Sequence, residues 1–223
     1  MASSDRTGNR TKRDKRQRQL PPELGYYLIV TDTEATERCY FNGLRDSLPD
    51  SVRKKLVIKV VETKTKNLIQ KCLELTAYDP QYRIPWIVFD RDMVPNFDQI
   101  IKDASAAGIN VGWSNPCFEI WLFAYWGNMP NIEKSWTCCD QFAVLFKSRT
   151  GHDYLKSDSE LYHRVTENGS EETAINVAHR KHTQCKRSGI TTPSQMIPCT
   201  TVYELVGEIK SKSHPYEKQE ANQ

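Results

Sequence analysis

Short hydrophobic runs alternate with segments of helical periodicity in the first half of the chain. Four runs consist almost entirely of apolar and β-branched residues, at 25–31, 56–61, 85–89 and 109–113. Such runs are typical of strands that are buried on both faces of a parallel sheet. Between the runs, apolar residues recur at three- and four-residue spacing over 36–48, 64–76 and 97–107. This alternation predicts an α/β fold with a parallel sheet of about four strands covered by helices.

The second half of the chain is dominated by helical patterns. We predict helices over 116–126, 136–147, 155–165, 171–187 and 200–211. The patterns divide the chain into four parts. Residues 1–22 form a basic, disordered tail and residues 23–128 an α/β core, while residues 129–213 form a helical extension packed on the core and residues 214–223 a polar tail.

Positive charge is concentrated at the N-terminus. Residues 1–20 carry seven basic and two acidic side chains, so the rest of the chain has a formal charge of −2 although the total is +3. A segment with so few apolar residues cannot bury enough surface to fold alone. It is interpreted either as an arm that binds the phosphates of a nucleic acid or as a solvated tail.

Cysteine content and hydropathy indicate the compartment. The chain has seven cysteines and no C-x-x-C pair, which favours reduced thiols that mostly fill the core. No run reaches the roughly 18 apolar residues of a membrane helix, and the N-terminus lacks the apolar segment of a secretory signal. We therefore expect a soluble cytoplasmic protein with no membrane partner.

Acidic residues follow three of the four predicted strands. They are Asp32, Glu34 and Glu37 after the first strand, Asp90 and Asp92 after the third, and Glu119 shortly after the fourth. Ligands of open parallel sheets bind beyond the carboxyl ends of the strands. Carboxylates gathered in one crevice repel one another unless a cation lies between them, and Mg²⁺ or Mn²⁺ suits an oxygen-rich site. The pattern predicts a metal site formed by Asp90, Asp92 and Asp32.

Each acid also has a simpler interpretation. Asp92 is placed to cap the helix that starts near Pro95, and Glu34 and Glu37 suit a helix N-terminus. Asn115 is the predicted N-cap of the helix that carries Glu119. A carboxylate at position 119, within an apolar run, needs a partner or must face the crevice, and we take it as a catalytic candidate.

A zinc site is a further alternative for the region near residue 180. His179, His182 and Cys185 fall at i, i+3 and i+6 on a predicted helix. No fourth ligand is evident in the sequence, so an ordinary surface helix is the favoured interpretation.

Four segments resemble motifs of the RloB-like family. Residues 28–41 resemble its opening I-V-x-E-G-E-x-T-E-x-x-Y-F, and residues 88–97 resemble V-F-D-R-D-x-x-P-N-F. Residues 114–122 are similar to S-N-P-C-F-E-x-W-L, and residues 200–206 to T-x-V-x-x-L-V. The order and spacing hold from about residue 24 to residue 207.

The resemblance implies a Toprim-like fold and a role in anti-phage defence or abortive infection, commonly beside an ATPase gene. Toprim-like enzymes use a glutamate after the first strand as general acid or base and a later D-x-D for Mg²⁺. Carried over, Asp32 takes the glutamate position, and Asp90 and Asp92 form the metal pair. The chain departs from the family at Asp32-Thr33, where the family has Glu-Gly. Either the shorter Asp32 carboxylate or Glu34 then takes the catalytic place.

Two functions follow from these expectations. The first is a Mg²⁺- or Mn²⁺-dependent endonuclease acting on RNA, with tRNA as one option, or on DNA; a homodimer is a further expectation. Its phosphate contacts would come from Arg91 and from a basic segment of the helical extension: Arg180, Lys181, Lys186 and Arg187. The second is a binding module that docks on an ATPase or a nucleic acid without cleaving it.

Overall fold

The computed structural model describes residues 22–32, 35–77, 83–92 and 94–220. In these ranges the chain forms a five-stranded sheet in the order β2-β1-β3-β4-β5. The first four strands are parallel to their neighbours, and β5 pairs antiparallel with β4. The predicted α/β class is confirmed, and the arrangement is consistent with a Toprim-like fold. The predicted basic tail lies outside the described residues except for Pro22.

The strands are β1 (Gly25–Thr31), β2 (Leu56–Glu62), β3 (Arg83–Asp90), β4 (Asn110–Asn115) and β5 (Cys199–Thr200). The first four agree with the predicted runs to within about two residues at either end. The helices described are α1 (Ala35–Ser47), α2 (Asp50–Arg53), α3 (Leu68–Ala77), α4 (Phe97–Ala106), α5 (Glu119–Phe123), α6 (Ser135–Thr150), α7 (Leu161–Asn168), α8 (Glu171–Arg187) and α9 (Val202–Glu220).

The sheet is buried on both faces, which explains its continuous apolar runs. Along β1, Tyr27 and Ile29 pack into one hydrophobic cluster, whereas Leu28 and Val30 pack into the other. The first cluster joins β1 to α1, α5, α8 and α9, and the second joins it to α3 and α4. Successive side chains of a strand point to opposite faces, so helices on both sides require an apolar residue at every position.

Several predicted element boundaries are wrong. Asn115 is the last residue of β4 rather than an N-cap, and its Nδ2 donates hydrogen bonds to the Pro193 and Ser194 carbonyls at 3.2 and 3.1 Å. The helix that was predicted from residue 116 begins at Glu119. The helix predicted over 155–165 spans Leu161–Asn168, and the last helix continues past residue 211 to Glu220.

The short strand β5 was not predicted. Thr200 lies opposite Ser114, and the two hydroxyl groups are 3.1 Å apart. A two-residue strand has no periodicity of its own, because it forms only when β4 offers a free edge. The described part of the chain therefore has one strand more than the four apolar runs that the sequence shows.

Within the described ranges, none of the helices combines the length and the apolarity that a membrane crossing requires.

Candidate functional site

A cleft of about 560 Å³ opens at the carboxyl edge of the sheet. It is lined by acidic, thiol, hydroxyl, apolar and basic side chains from six separate stretches of the chain: Asp32, Glu37, Thr65, Asp90, Asp92, Val94, Cys117, Ser135, Trp136, Cys139 and Lys156. The carboxyl ends of parallel strands meet at one edge of a sheet, which is why residues distant in sequence converge here.

Asp32 follows the last residue of β1 and lies between two neighbouring elements. Its backbone N–H donates a hydrogen bond to the Val88 carbonyl of β3 at 3.2 Å. The Thr65 hydroxyl donates a hydrogen bond to the Asp32 carboxylate. These two contacts hold the half-buried carboxylate at the mouth of the cleft.

Asp90 is the last residue of β3 and has the least solvated carboxylate among the predicted ligands. Its Oδ1 atom is closed to solvent and has no hydrogen-bond partner, while the Phe118 backbone N–H donates to the carboxylate. Burial, together with the negative charges of Glu37 and Glu119, raises the pKa of Asp90 well above its ordinary value. The positive charge of Lys156 opposes that rise in pKa.

Asp92 is exposed on the turn after β3. Its backbone N–H donates to the Pro116 carbonyl at 3.1 Å, and the Arg91 N–H donates to the Ser114 carbonyl at 2.9 Å. These bonds join the end of β3 to the end of β4 and set the position of the turn. Asn96, and not Asp92, is the N-cap residue of α4. Asp92 therefore does not cap that helix and faces the cleft instead.

Two further carboxylates are buried next to Asp90, and one of them, Glu37, also lines the cleft. Glu37, in the first turn of α1, and Glu119, the first residue of α5, are each 1% exposed. The Tyr154 hydroxyl donates to Glu119 Oε1 at 2.7 Å and lies 3.3 Å from the Thr36 hydroxyl. The Glu119 carboxylate is thus held in place from the helical extension.

The structure brings the predicted metal ligands into one cleft, but it does not place their carboxylate oxygens close together as one compact group. Asp32, Asp90 and Asp92 all line it, but their oxygens are not a set that lies within 4.8 Å of one another. Mg²⁺ in proteins retains several waters and takes one or two carboxylates directly, so a wider spacing suits that ion.

A tighter group of possible ligands lies in the same region. Among the described residues, the Cys117 and Cys139 sulfurs and a Glu119 oxygen lie within 4.8 Å of one another. A hydrogen bond with the Cys117 thiol, followed by burial and the negative charge of Glu119, raises the pKa of the Cys139 thiol. The sequence had indicated Glu119 but not the two cysteines.

The rim of the cleft combines an exposed aromatic ring with basic side chains. Trp136 is 65% exposed although it is a large hydrophobic residue, and the Lys134 ammonium lies 5.7 Å from the centre of its ring. Lys156 lies on the loop before α7 and also lines the cleft. None of these three residues was predicted, since the sequence shows no motif around them.

The predicted phosphate-binding residues do not lie in the cleft. Arg91 lines a neighbouring cavity of about 340 Å³ with Asp98 and Lys102. Lys186 lines a cavity beside Asn110 at the start of β4, which is the opposite edge of the sheet. Arg180 and Arg187 line a third cavity on the surface of α8, and Lys181 lies on the same helix.

The possible zinc ligands on α8 are not brought together. His182 is buried, and its Nδ1 lies 3.0 Å from the Tyr203 hydroxyl, whereas His179 is exposed. With Cys185, these residues do not form a group of metal ligands in the described part of the chain. The interpretation as an ordinary helix is thus the one the geometry favours. Glu34, the other predicted catalytic residue, lies outside the described residues.

Comparison with known proteins gives a family and nothing closer. No curated protein and no solved structure matches this chain. Residues 27–209 match the family described as RloB-like protein, and this range contains the three strand ends, the buried glutamates and both cysteines of the cleft. A match over that length covers nearly all of the folded chain, and on this basis the chain belongs to the RloB-like family.

Proposed function

We propose that this protein is a Mg²⁺- or Mn²⁺-dependent endonuclease and that its active site is the carboxylate cleft. The observation that carries the proposal is the convergence of Asp32, Asp90 and Asp92 on one cleft, with Glu37 and Glu119 buried beside them. So much negative charge in one place is costly without a cation.

The donor set fits a hard divalent ion. Asp90 presents a buried oxygen without a hydrogen-bond partner, which is costly for a group that forms no compensating bond. Asp90 and Asp92 would hold Mg²⁺, and Asp32 would complete the site directly or through water. When bound, the ion would neutralise the charge that develops on a scissile phosphate.

The other residues of the proposed site would accept a proton or orient the carboxylates. Asp32, which lines the cleft, or Glu34, which follows it closely in sequence, accepts a proton from the attacking hydroxyl or water. The Thr65 hydroxyl donates to Asp32 and orients that carboxylate. Glu119, fixed by Tyr154, holds negative charge next to Asp90 and tightens the cation site.

An exposed aromatic ring next to a basic side chain supports a nucleic acid as the substrate. A base stacks on an indole ring without regard to sequence, and a neighbouring ammonium group contacts the adjacent phosphate. Trp136, Lys134 and Lys156 offer these contacts at the rim of the cleft. We favour RNA over DNA as the substrate, and tRNA is one candidate RNA. The role in defence, the ATPase partner and a homodimer remain proposals that rest on the family resemblance.

The test is cleavage of plasmid DNA and of tRNA by the purified protein with Mg²⁺, Mn²⁺ or EDTA. We expect metal-dependent products from the wild type and none from the double variant Asp90→Asn, Asp92→Asn. Asp103→Asn is the matched control, because Asp103 is an exposed aspartate of α4 that does not line the cleft. Metal-independent cleavage, or cleavage that the double variant retains, would refute the proposal.

The competing hypothesis is a binding module that holds nucleic acid or an ATPase without cleavage. It predicts that the wild type binds RNA and leaves it intact under every metal condition. Separate variants Asp32→Asn and Glu34→Gln identify the proton acceptor: the one that abolishes cleavage carries that role, and a simultaneous loss of Mg²⁺ binding in Asp32→Asn would assign Asp32 to the metal instead.

A further inference from the structure

The cleft contains a second set of ligands whose chemistry differs from that of the carboxylates. Cys117 lies in the loop between β4 and α5, Glu119 opens α5, and Cys139 lies in the first half of α6. Their ligand atoms lie within 4.8 Å of one another. Both cysteines line the cleft, so an ion can reach them from solvent.

From this grouping we propose that Cys117, Glu119 and Cys139 form a zinc site at the floor of the cleft. Two thiolates and one carboxylate are ligands for a borderline-soft ion such as Zn²⁺, whereas Mg²⁺ prefers oxygen ligands alone. Three protein ligands leave one position of a tetrahedral ion open toward the cleft, as in zinc sites that bind a water or a substrate.

The spacing requires only small adjustments. Zn–S bonds of about 2.3 Å in a tetrahedral site place two sulfurs about 3.8 Å apart, and sulfurs that lie within 4.8 Å of one another need to approach by at most about 1 Å to reach that spacing. Rotation about the first side-chain torsion of Cys139, which is only half-buried, can close a difference of this size.

Neighbouring hydrogen bonds fix the positions of the ligand-bearing segments. The Cys117 thiol donates to the Ser135 carbonyl at 3.8 Å, and it would release this proton to solvent on binding zinc as a thiolate. The Ser135 hydroxyl donates to the Pro116 carbonyl at 3.4 Å, and this bond, which does not involve a ligand atom, joins the start of α6 to the loop that carries Cys117. The Tyr154 hydroxyl fixes Glu119 Oε1 from the other side. Such outer contacts orient metal ligands in proteins.

The zinc site and the proposed cleavage site share Glu119, but their other ligands differ: Cys117 and Cys139 for zinc, Asp90 and Asp92 for Mg²⁺. Cys138 adjoins Cys139 in sequence but is buried in the core and does not line the cleft, so it is not a ligand. A cation at this position would also offset the repulsion between Glu119 and the nearby Asp90 carboxylate.

The test uses the full chain, stripped with EDTA, reduced and then titrated with Co²⁺ as a spectroscopic probe. We expect one equivalent to produce a thiolate-to-cobalt absorption band that excess Mg²⁺ does not remove and that Zn²⁺ displaces. Cys117→Ser and Cys139→Ser should each lose the band. Cys185→Ser is the matched control, since Cys185 is likewise half-buried but lies on α8, and it should keep the band.

A second measurement does not depend on the variants folding. Iodoacetamide labelling of the wild type, read out by peptide mass spectrometry, should be slowed at Cys139 by Zn²⁺ and unchanged by Mg²⁺. The double variant Asp90→Asn, Asp92→Asn should retain both zinc signals while losing its response to Mg²⁺, which separates this inference from the cleavage proposal. No cobalt band, a band that survives both serine variants, or labelling of Cys139 that Zn²⁺ leaves unchanged would overturn the zinc site.

Discussion

Replacing Asp90 with asparagine should stabilise the fold in the absence of metal. The Asp90 carboxylate has one oxygen bonded by the Phe118 N–H and a buried Oδ1 without a partner, beside the charges of Glu37 and Glu119. An asparagine carbonyl can keep the bond to Phe118. Its amide group then places a donor where the unpaired oxygen was, facing two carboxylates. The substitution removes a charge from a crowded acidic cleft without changing side-chain size.

Two arguments limit the expected gain in the free energy of unfolding of Asp90→Asn. A buried acceptor without a partner costs about 1–3 kcal/mol, which sets the expected gain in the free energy of unfolding. The Asp90 carboxylate can also lose its negative charge in the folded chain by binding a proton. A carboxyl with an ordinary pKa of 3.8 binds a proton at pH 7 at a cost of about 4 kcal/mol, which is the ceiling. For a chain of this size, 1–3 kcal/mol corresponds to roughly 2–12 °C in melting temperature.

The assay is urea unfolding at pH 7 in EDTA, followed by tryptophan fluorescence and repeated with Mg²⁺. Mass action should raise the stability of the wild type when Mg²⁺ is added, and Asp90→Asn should gain nothing. The exposed Asp103→Asn control should stay within about 0.5 kcal/mol of the wild type in both buffers. An Asp90→Asn variant that is less stable than the wild type in EDTA would show that Asp90 supports the fold rather than a cation.

Three further predictions address other parts of the chain. Burial and the positive charge of Lys186 lower the pKa of His182 to about 4, below the unfolded value of 6.5, so His182 contributes stability above pH 6.5 that is lost as the pH falls toward 4. The loss is at most about 3 kcal/mol, and urea titrations of His182→Gln should show a flatter dependence on pH between 4 and 6.5. Trp136→Ala should weaken binding of single-stranded RNA by about 1–3 kcal/mol per stacked base, while the similarly exposed Val144→Ala should bind like the wild type in the same fluorescence titration. Deleting residues 1–20 should leave the melting temperature unchanged and, if the segment binds phosphates, should lower RNA affinity and flatten its salt dependence; an identical binding isotherm would favour the solvated tail.

The strands and the position of the cleft could be predicted because both depend on local pattern. The four apolar runs identify strands buried on two faces, and the residue that follows each run must lie at the carboxyl edge of a parallel sheet. That rule alone brings Asp32, Asp90 and Asp92 into one cleft, as the structure shows. The match to the RloB-like family agrees with the motifs at the same strand ends.

The predicted element boundaries were wrong where a contact between residues distant in sequence determines the backbone conformation. Asn115 has the side chain of a good N-cap, but it ends β4 because its neighbour in the sheet is β5 and its amide binds the loop before β5. Thr200 belongs to a strand only through that pairing. No local propensity distinguishes a capping asparagine from one that ends a strand.

The sequence by itself determined the class of fold, the order of its strands along the chain and the acids at three strand ends. The tertiary structure alone decided that α6 and the loop before α7 bring Cys139, Trp136 and Lys156 to those acids, and that the basic residues of α8 lie away from them. Periodicity reports which face of a helix is buried and carries no information about which other helix or sheet covers that face. That choice depends on how side chains from distant segments fill the same space, which only the folded chain defines.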